Sequence, residues 1–227
     1  MVILVIAAHP DDEVLGCGGS MIKWVKKGHE IHSVIMAEGV TSRDKKRNRI
    51  LKKKEINLLH ESTYKASEIL QLSSVELLDF PDNRMDSFDL LDIVKVIEDK
   101  VDKYKPHRVV THHGGDLNID HRLVHEAVFT ACRPQPGSSV KQILSFEVPS
   151  ATNWGSLTMG SPFTPNWFED ITKTLEFKIK ALEAYNSEMR KWPHARSIES
   201  LISLAKYRGS LVGVESAEAF ILHRNII

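Results

Sequence analysis

Ala8-His9-Pro10-Asp11-Asp12-Glu13 sets an imidazole and three carboxylates directly behind an apolar run, Val2 to Ala7. Much later in the chain, Thr111-His112-His113 leads into Asp116-Leu117-Asn118-Ile119-Asp120-His121. Histidine and aspartate are the ligand types of a hydrolytic zinc site, where three protein donors leave a fourth position for water. One carboxylate and one imidazole from the first segment, with an imidazole from the second, supply that set. Zinc brings the pKa of its water toward ~7 and polarises a carbonyl. A neighbouring unligated carboxylate can take the water's proton and later deliver it to a leaving nitrogen. Asp11 and Asp12 permit this division, one on the metal and one free, without showing which is which. The chemistry fits amide hydrolysis.

A nucleotide site is the competing expectation, because Gly16-Cys17-Gly18-Gly19 follows an apolar run. The spacing is not G-x-G-x-x-G, and three acids occupy the turn where a phosphate needs backbone donors and a positive helix end. The glycines then serve close helix–sheet packing. A bland reading also exists, with Asp11 or Asp12 as a simple helix N-cap; the second His/Asp segment argues against it. His125, four residues after His121, has metal-site spacing but is read as packing. His29, His32, His60 and His107 fall at turns or element edges and are read as solvated.

The elements must bring the two segments together. Residues 2–8 are continuously apolar and β-branched, the pattern of a strand buried on both faces. Helix is expected from Val14 to Lys27, ended by Gly28, then a strand from Glu30 to Ala37. Gly39 to Asn48 is a loop and Arg49 to Leu70 a helix. Val75 to Phe80 is a third strand. Phe88, Leu91, Val94, Ile97, Val101 and Tyr104 mark an amphipathic helix. A strand from Arg108 to Thr111, a helix from Asp120 to Cys132 and a strand from Gln142 to Val148 follow. Residues 149–168 read as a long loop, and helices are expected around Ile171 to Tyr185 and Ser197 to Gly209. The βα alternation predicts an α/β fold, a Rossmann-like, mostly parallel sheet with helices on both faces, forming one domain over 1–227. Sites in such sheets lie beyond the carboxyl ends of the strands, where both motifs fall.

Composition narrows the partners. With 42% hydrophobic residues the chain can bury a full core, and 30 basic against 30 acidic residues give no net charge. That balance provides no counterion-release drive toward nucleic acid. No stretch approaches the ~20 apolar residues of a membrane span, and the apolar start lacks the basic n-region of a signal peptide. Two cysteines, Cys17 and Cys132, do not make a disulfide framework, so a cytoplasmic protein is expected.

The first motif, extended through Val14-Leu15-Gly16-Cys17-Gly18-Gly19, resembles the first signature of the PIG-L/LmbE deacetylases, and Asp116 to His121 resembles the second. Lys180 to Ser187 and Ala217 to Phe220 resemble the family's tail, so the likeness spans most of the chain. The resemblance implies a Rossmann-like fold and zinc-dependent removal of N-acetyl groups from N-acetylglucosamine-type sugars or conjugates, with another divalent metal possible in zinc's place. By matching positions it implies His9, Asp12 and His121 as metal ligands, Asp11 as general base, and Asp120 as a residue orienting the ligands. The resemblance also implies a possible homo-oligomer, the assembly that family members often adopt. A same-fold amidase for a non-sugar amide or thiol conjugate, and a non-catalytic metal-dependent sugar-binding protein, are the alternatives.

Where this chain has Asn118, some relatives have a histidine that helps stabilise the oxyanion. Asparagine can contact substrate but carries no positive charge. His112 and His113 are the candidates for that work, with His194 and His223 able to return from the tail. Arg43, Asp82 and Arg84, on loops expected to open onto the crevice, are candidate substrate contacts. The run Lys45, Lys46, Arg47, Arg49, Lys52, Lys53, Lys54 is read as a solvated helix face. Trp154, Phe163, Trp167 and Phe168 either stack on a sugar or anchor the late loop.

Overall fold

A computed structural model of the chain describes residues 1–156 and 160–227. Among the described residues, seven strands form one sheet in the order β3-β2-β1-β4-β5-β7-β6. They are β1 (Val2–Ala7), β2 (Glu30–Ala37), β3 (Ser74–Phe80), β4 (Arg108–His112), β5 (Gln142–Phe146), β6 (Trp167–Asp170) and β7 (Ala217–Asn225). The first five run parallel, and β7 lies antiparallel to both β5 and β6. The expected mostly parallel α/β sheet is therefore present, with two tail strands that the patterning does not announce.

β1 is continuously apolar because both its faces are covered. Ile3 and Val5 join a core with α1 (Asp12–Lys26), α2 (Lys53–Ile69), α5 (Leu175–Ala184) and α6 (Ile198–Ser210). Leu4 and Ile6 face the opposite core, built with α3 (Leu90–Tyr104) and α4 (Ile119–Ala131). The period-two alternation of a strand makes that division.

Several boundaries move for local reasons. α1 starts at Asp12, ahead of the expected Val14, because the Asp11 carbonyl accepts from the Val14 and Leu15 amides at 3.1 and 2.8 Å. α2 starts at Lys53, beyond the expected Arg49, since Arg49 Nε reaches the buried Glu38 at 2.7 Å. Arg47 also bonds Glu38, at 2.8 and 2.9 Å, so the basic run is only partly a solvated face. His32, expected in solvent, is buried, bonds Ser74 Oγ at 2.7 Å and stacks on Tyr104.

The glycines after the first motif do serve packing. A Cβ on Gly16 would sit 2.2 Å from the Phe146 ring of β5. α1 is broken at Cys17, with φ −147° and ψ 22°. Downstream of that break, Glu218 of β7 accepts from the Gly19 and Ser20 amides at 3.0 and 2.7 Å, and from Lys178 Nζ at 2.6 Å. Lys178 also donates to the Leu15 carbonyl at 2.7 Å. Removing one partner of a buried charge pair strands the other, so Glu218→Ala is expected to cost about 3–5 kcal/mol. Urea unfolding measures this, and a loss under ~1 kcal/mol would show the clamp to be dispensable.

Candidate metal and hydrolytic site

β1 sits where strand order turns. β2 and β3 extend the sheet to one side of it, β4 and β5 to the other. Connections leaving β1 and β4 diverge there and open a crevice at their carboxyl ends. His9 to Asp12 leave β1, while Asp116 to His121 lead from β4 into α4, so both motifs meet in that crevice.

Three donor atoms converge. Asp12 Oδ2 lies 3.2 Å from His9 Nδ1 and 3.0 Å from His121 Nε2, and the two imidazole nitrogens are 3.3 Å apart. These atoms form a group able to hold a metal ion. The far nitrogen of each ring faces a carboxylate: His9 Nε2 lies 2.9 Å from Asp120 Oδ2, and His121 Nδ1 lies 3.2 Å from Asp116 Oδ2. A carboxylate behind a ligating histidine fixes its tautomer and orientation and strengthens it as a ligand. Asp12 Oδ1 is buried without a hydrogen-bond partner among the described residues. Two imidazoles, a carboxylate and an orphaned buried oxygen fit a zinc-type cation.

Electrostatics point the same way. Burial disfavours charge on His121, yet Asp12 and Asp116 outweigh it and push the imidazole up to about 9. Burial alone would raise Asp12, but the adjacent His121, His9 and His112 hold its carboxyl well below the ordinary range. The cluster calls for positive charge at its centre.

His9, Asp82 and Asp120 form a second group of donors close enough for an ion. Its carboxylates are already engaged. Asp120 accepts from the Asn83 and Met85 amides at 2.6 and 3.0 Å, and Asp82 accepts from Ser42 and Asn83 side chains at 2.7 and 2.9 Å. These contacts make the group a brace for His9.

Asp11 stands beside the donor triangle, outside it. Its backbone has φ 107°, a left-handed conformation costly for a residue with a Cβ. The Asp11 amide donates to Glu13 Oε2 at 3.1 Å, and Glu13 Oε1 accepts from Tyr185 at 2.7 Å. Asp11 Oδ2 accepts from Arg196 Nη1 at 2.7 Å. Burial, with Asp12, Glu188 and Glu13 nearby, raises the Asp11 carboxyl well above its ordinary value against the pull of Arg196.

The crevice is lined by His9, Asp11, Arg43, Asp82, Asn118 and Arg196, among others. Arg43 Nη2 bonds both oxygens of Glu188 at 2.7 Å. Asn118 caps α4, accepting from the Asp120 amide at 2.9 Å and donating to Asn83 Oδ1 at 2.8 Å. Arg84 does not line the crevice; its guanidinium donates to the Asp44 and Lys45 carbonyls, which ties a loop together. His113 donates to the Ser161 carbonyl at 2.8 Å and packs on Phe163, turned toward the late loop. His112 is fully buried and accepts from the Ala8 amide at 2.8 Å. Burial and the neighbouring His121 keep His112 well below the usual imidazole range.

The remaining candidates lie elsewhere. His125 donates to the His112 carbonyl and His223 bonds Ser145 Oγ, both at 2.8 Å. His194 packs on Trp154. None of the four late aromatics lines the crevice, and Trp167 and Phe168 belong to β6. Part of the expected 149–168 loop, residues 157–159, lies outside the described residues. Asp116, Glu188 and Arg196 escape sequence reasoning as site residues. Asp116 lies within the second motif and was open to assignment; Glu188 and Arg196 carry no motif at all.

The PIG-L family, GlcNAc-PI de-N-acetylase, matches residues 4–132. The uncharacterized deacetylase YaiS of Escherichia coli K12 is 34% identical over 191 residues, covering 82% of this chain and 90% of that protein. The fold is shared with N,N'-diacetylchitobiose deacetylase from Pyrococcus horikoshii, at TM-score 0.77 and 20% identity over 98% of this chain and 84% of that one. It is also shared with GalB, the 4-carboxy-2-hydroxymuconate hydratase of Pseudomonas putida KT2440, at TM-score 0.78 and 22% identity over 100% and 97%. A family match across more than half the chain, a relative aligned along most of its length and the convergence of both signature motifs lead to one conclusion: the chain belongs to the PIG-L deacetylase family.

Proposed function

We propose that this chain is a metal-dependent N-deacetylase that releases acetate from an N-acetylglucosamine-type sugar or conjugate and leaves a free amine. The observation that carries the reading is the donor triangle of His9, Asp12 and His121 with the unligated carboxylate of Asp11 beside it. A zinc ion held by those three residues would polarise the amide carbonyl and acidify a water. Asp11 takes the proton of the attacking water and returns it to the departing nitrogen. Asp120 and Asp116 hold the two imidazoles in place. Arg43, Asp82 and Asn118 stand on the crevice wall, where a sugar's hydroxyls would compete for the contacts they now make with Glu188, Ser42 and Asn83. Names of relatives support the substrate class: one acts on diacetylchitobiose, and another is a probable N-acetyl-α-D-glucosaminyl L-malate deacetylase of Bacillus cereus. The whole chain serves as one catalytic domain, and two unpaired buried cysteines suit the cytoplasm.

Acetate release from a panel of N-acetylated amino sugars and their conjugates tests the proposal. At least one member is expected to yield acetate and amine in equal amounts, to stop yielding them after chelation and to recover with zinc. Undiminished turnover in metal-stripped protein would remove the metal from the mechanism.

A further inference from the structure

Attack on an amide moves the carbonyl π pair onto oxygen, and a donor aimed at that oxyanion supplies one of the largest catalytic contributions. Neither His112, at the end of β4, nor His113, just beyond it, is placed to give it. His113 is bonded to Ser161, and His112 has one nitrogen on the Ala8 amide and lies fully buried behind the crevice. Asn118 gives its oxygen to the Asp120 backbone and one N–H to Asn83, and it carries no positive charge for an oxyanion. Two arginines line the crevice. Arg43 is 44% exposed and closed onto Glu188.

Arg196 differs. Its side chain is 22% exposed. Nη1 donates to Asp11 Oδ2 and Nε to Ser150 Oγ, each at 2.7 Å. Nη2 has no hydrogen-bond partner among the described residues. The segment that delivers it is pinned on both sides. The Arg190 amide donates to the Arg196 carbonyl at 3.2 Å, and the Arg196 amide to His194 Nδ1 at 3.0 Å. Ser197, the next residue, caps α6 by accepting from the Ser200 amide at 3.1 Å. A guanidinium is a planar, permanently charged fork. With one prong on Asp11, its other prong is fixed relative to the group that moves the proton.

We infer that Arg196 is the residue that donates to the oxyanion in this chain, acting from the tail in place of His112 or His113. The inference rests on the deacetylase reading. In the step, the water oxygen bonds the carbonyl carbon while its proton passes to Asp11. The π pair moves onto oxygen, where Nη2–H donates. When that pair returns, the C–N bond breaks and Asp11 passes its proton to nitrogen. Acetate and amine leave, and Arg196 is unchanged.

Arg196→Gln and Arg196→Lys, assayed on the substrate the wild type hydrolyses, test this. Arg196→Gln is expected to lower kcat about 10²–10³-fold with little change in KM. Affinity for the tetrahedral methylphosphonamide analogue of that substrate should fall by a similar factor, while affinity for the amine product stays put. Arg196→Lys keeps a cation, serves as the second variant should the glutamine variant fail to fold, and should recover part of both losses. The decisive comparison uses Asp11→Asn as background. Removing Arg196 there still weakens the analogue if Arg196 touches the oxyanion, and leaves it unchanged if Arg196 serves only to hold Asp11. An unchanged kcat, a rise in KM alone, or no loss of analogue affinity in that background overturns the assignment. A wild type that releases no acetate from any panel member overturns the deacetylase reading itself, and this inference with it.

Discussion

Asp11→Asn is expected to lower kcat by about 10³-fold, inside the 10²–10⁴ range of general acid–base contributions, while bound metal stays unchanged. The substitution keeps the shape of the side chain and an oxygen for Arg196, and removes only the capacity to take a proton. Asp11 is 1% exposed and held in a left-handed backbone by its amide bond to Glu13, so the carboxyl has one fixed station beside the donor triangle. The adjacent aspartates are driven apart in proton affinity. Burial and three nearby carboxylates raise Asp11, whereas three imidazoles overcome burial to hold Asp12 low. Two carboxylates with opposed shifts are the usual mark of a proton carrier next to a charge-holding partner. Steady-state kinetics with metal analysis of the same preparation reads both parts of the prediction. A variant keeping kcat within tenfold of wild type places the base elsewhere, and a variant losing its metal makes Asp11 a ligand.

The sequence and the structure agree where chemistry and fold share a signal. β1 is legible because burial on both faces demands an unbroken apolar run, and the residues behind it are then forced to the crevice. β7 is less legible. Ala217 to Phe220 are all buried, but Glu218 interrupts the apolar pattern, since its carboxylate is needed at the break in α1. A strand that carries a buried acid for a distant helix cannot show the alternation by which strands are found. β6 has only four residues, too few for a period to emerge.

Within the site, the two His/Asp motifs are local because each pairs a loop with the helix that follows it. Their supports are of two kinds. Asp116 and Asp120 lie inside the second motif, and what decides their partners is the turn of the chain around Asn118, whose backbone amide bonds Asp116 at 2.8 Å. Arg196 reaches Asp11 across 185 positions of sequence. No spacing rule spans that distance; packing of α5 against α1 and α2, ahead of the segment that carries Arg196, brings the arginine there. The same packing closes Arg43 onto Glu188, so a loop residue that looks free for substrate in sequence is engaged in the fold.

His121→Ala is expected to bring acetate release to background and bound zinc from about one per chain to about none, because two protein donors do not make a catalytic zinc site. The change also leaves Asp12 and Asp116 facing a buried gap, so the carboxylates that now share an imidazole lose their counter-charge. Asp120→Asn is the calibrated comparison. It weakens the brace on His9 without touching the triangle, and a loss of about 10–100-fold in metal affinity is the scale for such a support. The pair of variants separates the two donor groups around His9. If the ion is held by His9, Asp12 and His121, the histidine variant is the more damaging by far. If it is held by His9, Asp82 and Asp120, the order reverses, because His121 then lies outside the ligand set. Equilibrium dialysis against zinc, with both variants in the same buffer, gives that order directly. Near-stoichiometric zinc in His121→Ala would move the metal to the second group and leave Asp12 free to compete with Asp11 for the role of base.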